Sequence, residues 1–207
     1  MITNQSSGRM GVLIAQAARF RGAQIKLIHG PLDLPNAWLE GLENYPIQNA
    51  EEIRSILKNL QPSANAIVMA AAIADVKKRN GAEGVKADKK VFLNSLKDSL
   101  EEVPDLLQEL VSSKSNNQVI LGFAALSGSD IEIQQAAKIK KNRKGCDLLL
   151  ANPIDRINQG FGDSPNGGVL IGPNDMVQSI PKTSKIALAH QLIDSLVEVF
   201  RNISSNN

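Results

Sequence analysis

The sequence predicts an α/β fold, a mostly parallel sheet with helices on both faces, and three observations predict it. Segments whose apolar residues recur at helical spacing alternate with short apolar runs, the rhythm of strand-helix-strand units. Two of those runs, Ala66-Ile67-Val68-Met69 and Asp147-Leu148-Leu149-Leu150-Ala151, are continuous rather than alternating, as in strands buried on both faces. No internal repeat and no long linker interrupts the pattern, so one domain over 1–203 is the economical reading, with a disordered Ser/Asn tail at 204–207.

The elements follow in order. Met10, Leu13, Ile14, Ala17 and Phe20 share one helical face, and Gly22 stands where a left-handed C-terminal cap belongs, which predicts a helix from Arg9. Residues 24–28 then read as a strand closed by the turn Gly30-Pro31, and a polar, proline-bearing connection reaches Ile47. Ile53, Ile56, Leu57 and Leu60 predict a helix over 51–60, followed by the buried strand 66–69. Residues 76–94 break the rhythm with Lys77, Lys78, Arg79, Lys86, Lys89 and Lys90 and predict a mobile basic loop. Beyond it come a short helix over 104–111 opened by proline, a strand over 118–122, and a helix over 130–144 with Asp130 as its N-cap. After the strand 147–151, residues 152–166 read as loop, and 168–171 with 176–180 form a hairpin across Gly172-Pro173-Asn174-Asp175. A long amphipathic helix over 184–202 closes the fold.

Composition excludes several classes of function. The chain has 207 residues, 43% of them hydrophobic and 21% charged, with a net charge of +2, the profile of a globular protein rather than a disordered or purely electrostatic one. Its longest apolar run, 66–74, falls well short of the roughly 20 residues that span a bilayer, and the first residues lack a secretory signal. A single cysteine, Cys146, excludes an internal disulfide and a thiolate metal site; with no signal, it favours a cytoplasmic setting. Aromatics are only 3% of the chain, too few stacking platforms for a reader of nucleic acid strands.

In parallel sheets of this kind ligands sit beyond the C-terminal ends of the strands, so the loops after Ile28, Met69, Leu121 and Ala151 are where function is expected. The stretch Asn4-Gln5-Ser6-Ser7-Gly8-Arg9-Met10-Gly11 leads straight into the first helix with hydroxyls, backbone amides and a flexible glycine at the positive end of the helix dipole. That makes an anion site suited to phosphate, or else Ser6 or Ser7 merely caps the helix. Lys86, Lys89 and Lys90 could tether a triphosphate or form plain solvated surface. Of the five basic residues in 138–144, Lys141 and Lys144 share a helical face and are the better phosphate ligands. Asp75, just after a buried strand, could bind a base, a ribose or Mg²⁺, or cap a helix. His29 and His190 lack the neighbours of a catalytic base, and Cys146 reads as core.

These motifs, together with Ala71-Ala72-Ile73-Ala74-Asp75, Gly122-Phe123-Ala124-Ala125, the basic run 140–144 and Asp147 to Asn152, resemble phosphopantothenate-cysteine ligase, the synthetase domain of the bacterial bifunctional coenzyme A biosynthesis protein. The resemblance covers nearly the whole chain. It implies a Rossmann-like fold, a homodimer, and ligation of 4′-phosphopantothenate with cysteine through an acyl-cytidylate made from CTP with Mg²⁺. It further implies fusion to or pairing with a flavin-dependent decarboxylase, no flavin in this chain itself, and neither nucleic acid nor membrane as partner. By the same resemblance Asn4 holds the acyl-cytidylate, Ser6, Ser7 and Gly8 contact phosphate, and Ala71, Ala72 and Asp75 present the strand end to cytosine and ribose. Phe123 lies beside the base, Lys141 and Lys144 near the triphosphate, and Lys86 is the flap lysine that steadies it.

The chain departs from the family pattern in places. Asp88 stands where the flap has a second lysine, so the flap role falls on Lys86 or Lys89. Val76 replaces a tyrosine, Leu126 an acidic residue and Pro153 an aspartate. The family's first strand, its Thr-Arg-Glu loop and an arginine precede the asparagine that matches Asn4 and are not among these 207 residues; without that strand the edge of the central sheet is expected to be exposed. Two other readings compete. One is a nucleotide-binding remnant without ligase activity. The other is an NAD(P) oxidoreductase, which lacks its glycine fingerprint here and has Tyr45 as the only tyrosine for a catalytic Tyr/Lys pair.

Overall fold

The structure is a computed structural model that describes residues 7–71, 76–78, 100–102, 104–156 and 164–205. Its contacts divide the chain into two units, one of Ser6–Ala71 with Leu106–Asn207 and a smaller one of Met1–Gln5 with Ala72–Asp105.

The larger unit opens with α1 (Arg9–Arg19), β1 (Lys26–His29), β2 (Glu43–Pro46), α2 (Ala50–Leu60) and β3 (Ala66–Met69). In the smaller unit β4 (Val76–Lys78) pairs antiparallel with β5 (Leu100–Glu102), Lys77 standing in register with Glu101. The larger unit resumes with α3 (Leu106–Ser112), β6 (Val119–Leu126), α4 (Asp130–Lys144), β7 (Leu148–Pro153), β8 (Asn166–Ile171), β9 (Val177–Thr183) and α5 (Lys185–Ser205). The main sheet has the order β3-β6-β7-β8-β9, parallel from β3 to β7 and antiparallel beyond. The strands β1 and β2 pair in parallel as a sheet of their own. No helix among the described residues is long and apolar enough to cross a membrane.

The core forms because β6 and β7 bury both faces, as their continuous apolar runs require. On one face Val119, Leu121, Leu148 and Leu150 meet Ile14 and Ala17 of α1 and the helically spaced Leu188, Leu192 and Leu196 of α5. Each such leucine, fully withdrawn from water, stabilises the fold by about 1.5–3 kcal/mol. On the other face Gly122 leaves room for Leu107 of α3 and for the Cys146 thiol; an added Cβ would come within 2.9 Å of Leu107. Arg21, just past α1, donates to His190 Nδ1 and to Asp194 Oδ1 at 2.7 Å, tying α1 to α5. His29 Nδ1 lies 2.7 Å from the Gly30 carbonyl, so both histidines have local structural partners.

Several expectations are corrected. The connection before Ile47 contains the strand β2, which is polar and mostly exposed because among the described residues only β1 flanks it. The strand β3 is half-exposed rather than buried on both faces, since among the described residues its sole strand neighbour is β6 and the other edge is open. The strand over 118–122 continues to Leu126, because parallel pairing with β7 persists to Leu126 and Pro153. The N-cap of α4 is Ser129, not Asp130: the Ser129 hydroxyl accepts from Glu132 N–H while the Glu132 carboxylate accepts from Ser129 N–H, a reciprocal capping box. The helix α5 runs to Ser205, three residues beyond its expected end at 202. Residues 76–78, assigned to a mobile loop, form β4; the remainder, 79–94, lies outside the described residues.

Candidate functional site

The helix N-termini of the larger unit differ in what they offer an anion. The start of α2 is closed by the Asn49 side chain, which accepts from Glu52 N–H, and by the negative charges of Glu51 and Glu52. The α4 terminus is filled by the Ser129-Glu132 box and Asp130, and that of α5 by the Ser184 hydroxyl accepting from Ala187 N–H. Like α5, α1 has no acidic residue in its first turn and begins with a cation, here Arg9. Its N-cap is Gly8 at φ +71°, a left-handed conformation that only glycine adopts without strain. Ser7 Oγ lies 3.4 Å from Arg9 N. The dipole at this end favours negative charge, and Arg9 adds to that field. The Arg9 guanidinium stacks over Trp38, 5.1 Å from the ring centroid, and Gln16 holds the Trp38 carbonyl at 2.7 Å.

This turn meets the C-terminal ends of the parallel strands. A Cβ at Gly11 would lie 3.9 Å from the Ala70 side chain, and one at Gly8 would strike Leu32, just beyond β1. Ala71 follows, exposed, at the end of β3. Met69 is in register with Gly122, so the chain leaving β3 runs beside Phe123, which is half-buried against the core shared with α1 and α5. The fold therefore brings Ser7, Gly8, Ala71 and Phe123 to one edge of the larger unit, where ligands of such sheets bind. The crossover α4 carries Lys141 and Lys144 the other way. They occupy its last turn, at the end of the sheet where β7 begins, and are not grouped with Ser7 and Gly8. Asn4, Ser6, Ala72, Asp75, Lys86 and Lys89 lie outside the described residues.

At the same C-terminal edge the turn after β6 is gripped by the loop after β7. Asp155 Oδ2 accepts from Gly128 N–H at 2.8 Å, while Arg156 Nη2 donates to the Gly128 carbonyl and to Asp130 Oδ1, each at 2.9 Å. The bond from Gly128 N–H holds the Asp155 carboxyl below its ordinary range, with a smaller contribution from the Arg156 charge. The Glu132 carboxyl is likewise lowered by Ser129, first through its N–H and then its hydroxyl. Asp155 and Arg156 were not among the expected site residues. The signal that could have found them is an adjacent acid and base directly after a buried strand, on the edge where function resides. Burial pushes the Cys146 thiol up despite the nearby charge of Lys141, in keeping with a core role. No group of three or more His, Cys, Asp or Glu side chains among the described residues is placed to hold a metal ion.

Comparison with known proteins agrees with the family expected from the motifs. The coenzyme A biosynthesis bifunctional protein CoaBC of Thermococcus kodakarensis is 33% identical over 198 residues, covering 94% of this chain and 46% of that protein. CoaBC of Vibrio cholerae is 30% identical over 197 residues, covering 95% and 48%. The chain thus spans about half the length of these relatives. Among solved structures, the C-terminal domain of CoaBC matches with a TM-score of 0.76 at 23% identity, over 97% of this chain and 88% of that one. A Cab2 variant in complex with phosphopantothenate-cysteine matches with a TM-score of 0.71 at 13% identity, over 98% and 80%. These two structures bear on the fold alone. The model of the DNA/pantothenate metabolism flavoprotein C-terminal domain matches residues 1–200, and the chain belongs to that family.

Proposed function

We propose that this chain is a phosphopantothenate-cysteine ligase domain of coenzyme A biosynthesis that uses CTP. The observation that carries the reading is the gathering of the Ser7-Gly8 turn at the start of α1, Ala71 and Phe123 at one strand edge. The turn supplies backbone amides and the helix dipole to a phosphate, and the strand ends supply backbone edges and one ring to a base. In the proposed reaction a carboxylate oxygen of 4′-phosphopantothenate attacks the α-phosphorus of CTP, and pyrophosphate leaves. The amine of cysteine then attacks the acyl carbon, loses a proton, and CMP departs with the amide formed. Asn4 donates from its side-chain amide to the carbonyl oxygen as charge builds there, and Lys86 or Lys89 neutralises the triphosphate. Mg²⁺ bound by the triphosphate would keep several of its waters and would offset charge on the phosphates. The domain works in the cytoplasm as a homodimer, fused to or partnered by a flavin-dependent decarboxylase.

The test is pyrophosphate release. With CTP, Mg²⁺ and 4′-phosphopantothenate but no cysteine, a single turnover is expected, becoming continuous when cysteine is added. Asn4→Asp should keep the first burst and lose the amide. Absence of any pyrophosphate from folded protein would refute the ligase reading.

A further inference from the structure

We propose that Asp155 and Arg156 are positioning residues for the nucleotide half of this site, holding the turn after β6 in the shape that binds CTP. The inference rests on the ligase reading above. Three side-chain bonds converge on this turn: Asp155 Oδ2 with Gly128 N–H, and Arg156 Nη2 with the Gly128 carbonyl and with Asp130 Oδ1. Both backbone groups of Gly128 are taken, at φ +124°, where a side chain would be strained. The β6-β7 ladder has already ended below them, with Ile154 N–H on the Leu126 carbonyl, so these bonds extend the coupling of the two strands into their loops.

The clasp contributes little as a stabilising device. Asp130 is 95% exposed, and ion pairs so open to solvent add little to stability. What it does is fix a solvent-facing turn that would otherwise sample many conformations, at the edge where doubly wound sheets bind ligands. The turn follows Leu126, the last residue of β6, the strand that also carries Phe123, whereas the Ser7-Gly8 turn opens α1. Loosening the clasp therefore acts on the ligand held at the end of β6, which on the ligase reading is the nucleotide, rather than on phosphopantothenate.

The experiment is steady-state pyrophosphate release by the full chain at saturating cysteine, with CTP and phosphopantothenate varied separately, for wild type, Asp155→Ala, Arg156→Ala and Arg156→Lys. The KM for CTP should rise about tenfold in each alanine variant, the ordinary effect of losing a charge-assisted hydrogen bond. The phosphopantothenate KM, kcat and Tm should stay near wild type, and Arg156→Lys, which can still reach one acceptor, should recover part of the loss. An unchanged CTP KM in both alanine variants overturns the proposal, as does a parallel shift of every parameter with Tm, which marks a structural role. If Asp155→Ala does not fold, the Arg156→Ala and Arg156→Lys pair decides. A wild type that binds CTP in equilibrium titration without releasing pyrophosphate refutes the ligase reading alone, and the CTP Kd of the variants then decides the clasp. A wild type that neither binds nor reacts overturns both.

Discussion

Leu126 on β6 stands in register with Pro153 on β7 as the last pair of their parallel ladder. Both side chains are apolar, Pro153 buried and Leu126 half-buried. The top of the β6-β7 seam is thus apolar just below the loops that Asp155 and Arg156 hold together.

The pairing predicts unequal tolerance of acidic residues. Pro153 is buried, so Pro153→Asp takes a carboxylate out of water and should cost about 3 kcal/mol. Leu126 is half-buried, and Leu126→Glu, free to turn its carboxylate toward solvent, should cost less than about 1 kcal/mol. Urea denaturation of the two variants checks the order; equal losses would contradict it.

Asp147 anchors the opposite end of the same strands. Its carboxylate accepts from Ile120 N–H at 2.7 Å and from Lys114 Nζ, and both charged side chains are less than one-fifth exposed. Asp147→Ala strands a strand amide and a half-sequestered ammonium together and should cost about 3 kcal/mol. Lys114→Met, which leaves the carboxylate with its amide partner, should cost less. Denaturation midpoints, read with unchanged m-values, give the comparison.

Much of this architecture is legible in the sequence, and the misses share physical causes. Leu148, Leu149, Leu150 and Ala151 are all fully buried, as a continuous apolar run demands. The strand β2 escapes because Glu43, Asn44 and Pro46 offer no apolar face; its pairing with β1, not its side chains, makes it a strand. Ser129 and Asp130 are both good caps, and only Glu132, three residues beyond Ser129, separates them. At the site, the turn Ser7-Gly8 and the helix it opens are readable locally. The grip of Asp155 and Arg156 on Gly128 is not, because it crosses 27 and 28 positions of sequence and depends on the β6-β7 register.

The clasp should weaken in acid. Asp155 has its folded pKa lowered by Gly128 N–H, so its contribution is complete above the unfolded value near about 3.9 and is lost as pH falls through the folded value. The protection factor of the Gly128 amide, measured by hydrogen exchange between pH 6 and 3, should fall at the acid end. The bond from Arg156 to the Gly128 carbonyl does not involve the Asp155 carboxylate and persists. A protection factor that is flat across the range would contradict the assigned bond.

In the proposed reaction a carboxylate is activated as an acyl-cytidylate at the edge formed by Ser7, Gly8, Ala71 and Phe123, and one of its oxygens passes to the nucleotide. The most direct measurement uses 4′-phosphopantothenate labelled with ¹⁸O in its carboxylate, with CTP, Mg²⁺ and cysteine, and mass analysis of the products. The account predicts one labelled oxygen in CMP, none in pyrophosphate, and CMP equal in amount to the amide. Label in inorganic phosphate with CDP as the nucleotide product, or amide formed with unlabelled CMP, would contradict it.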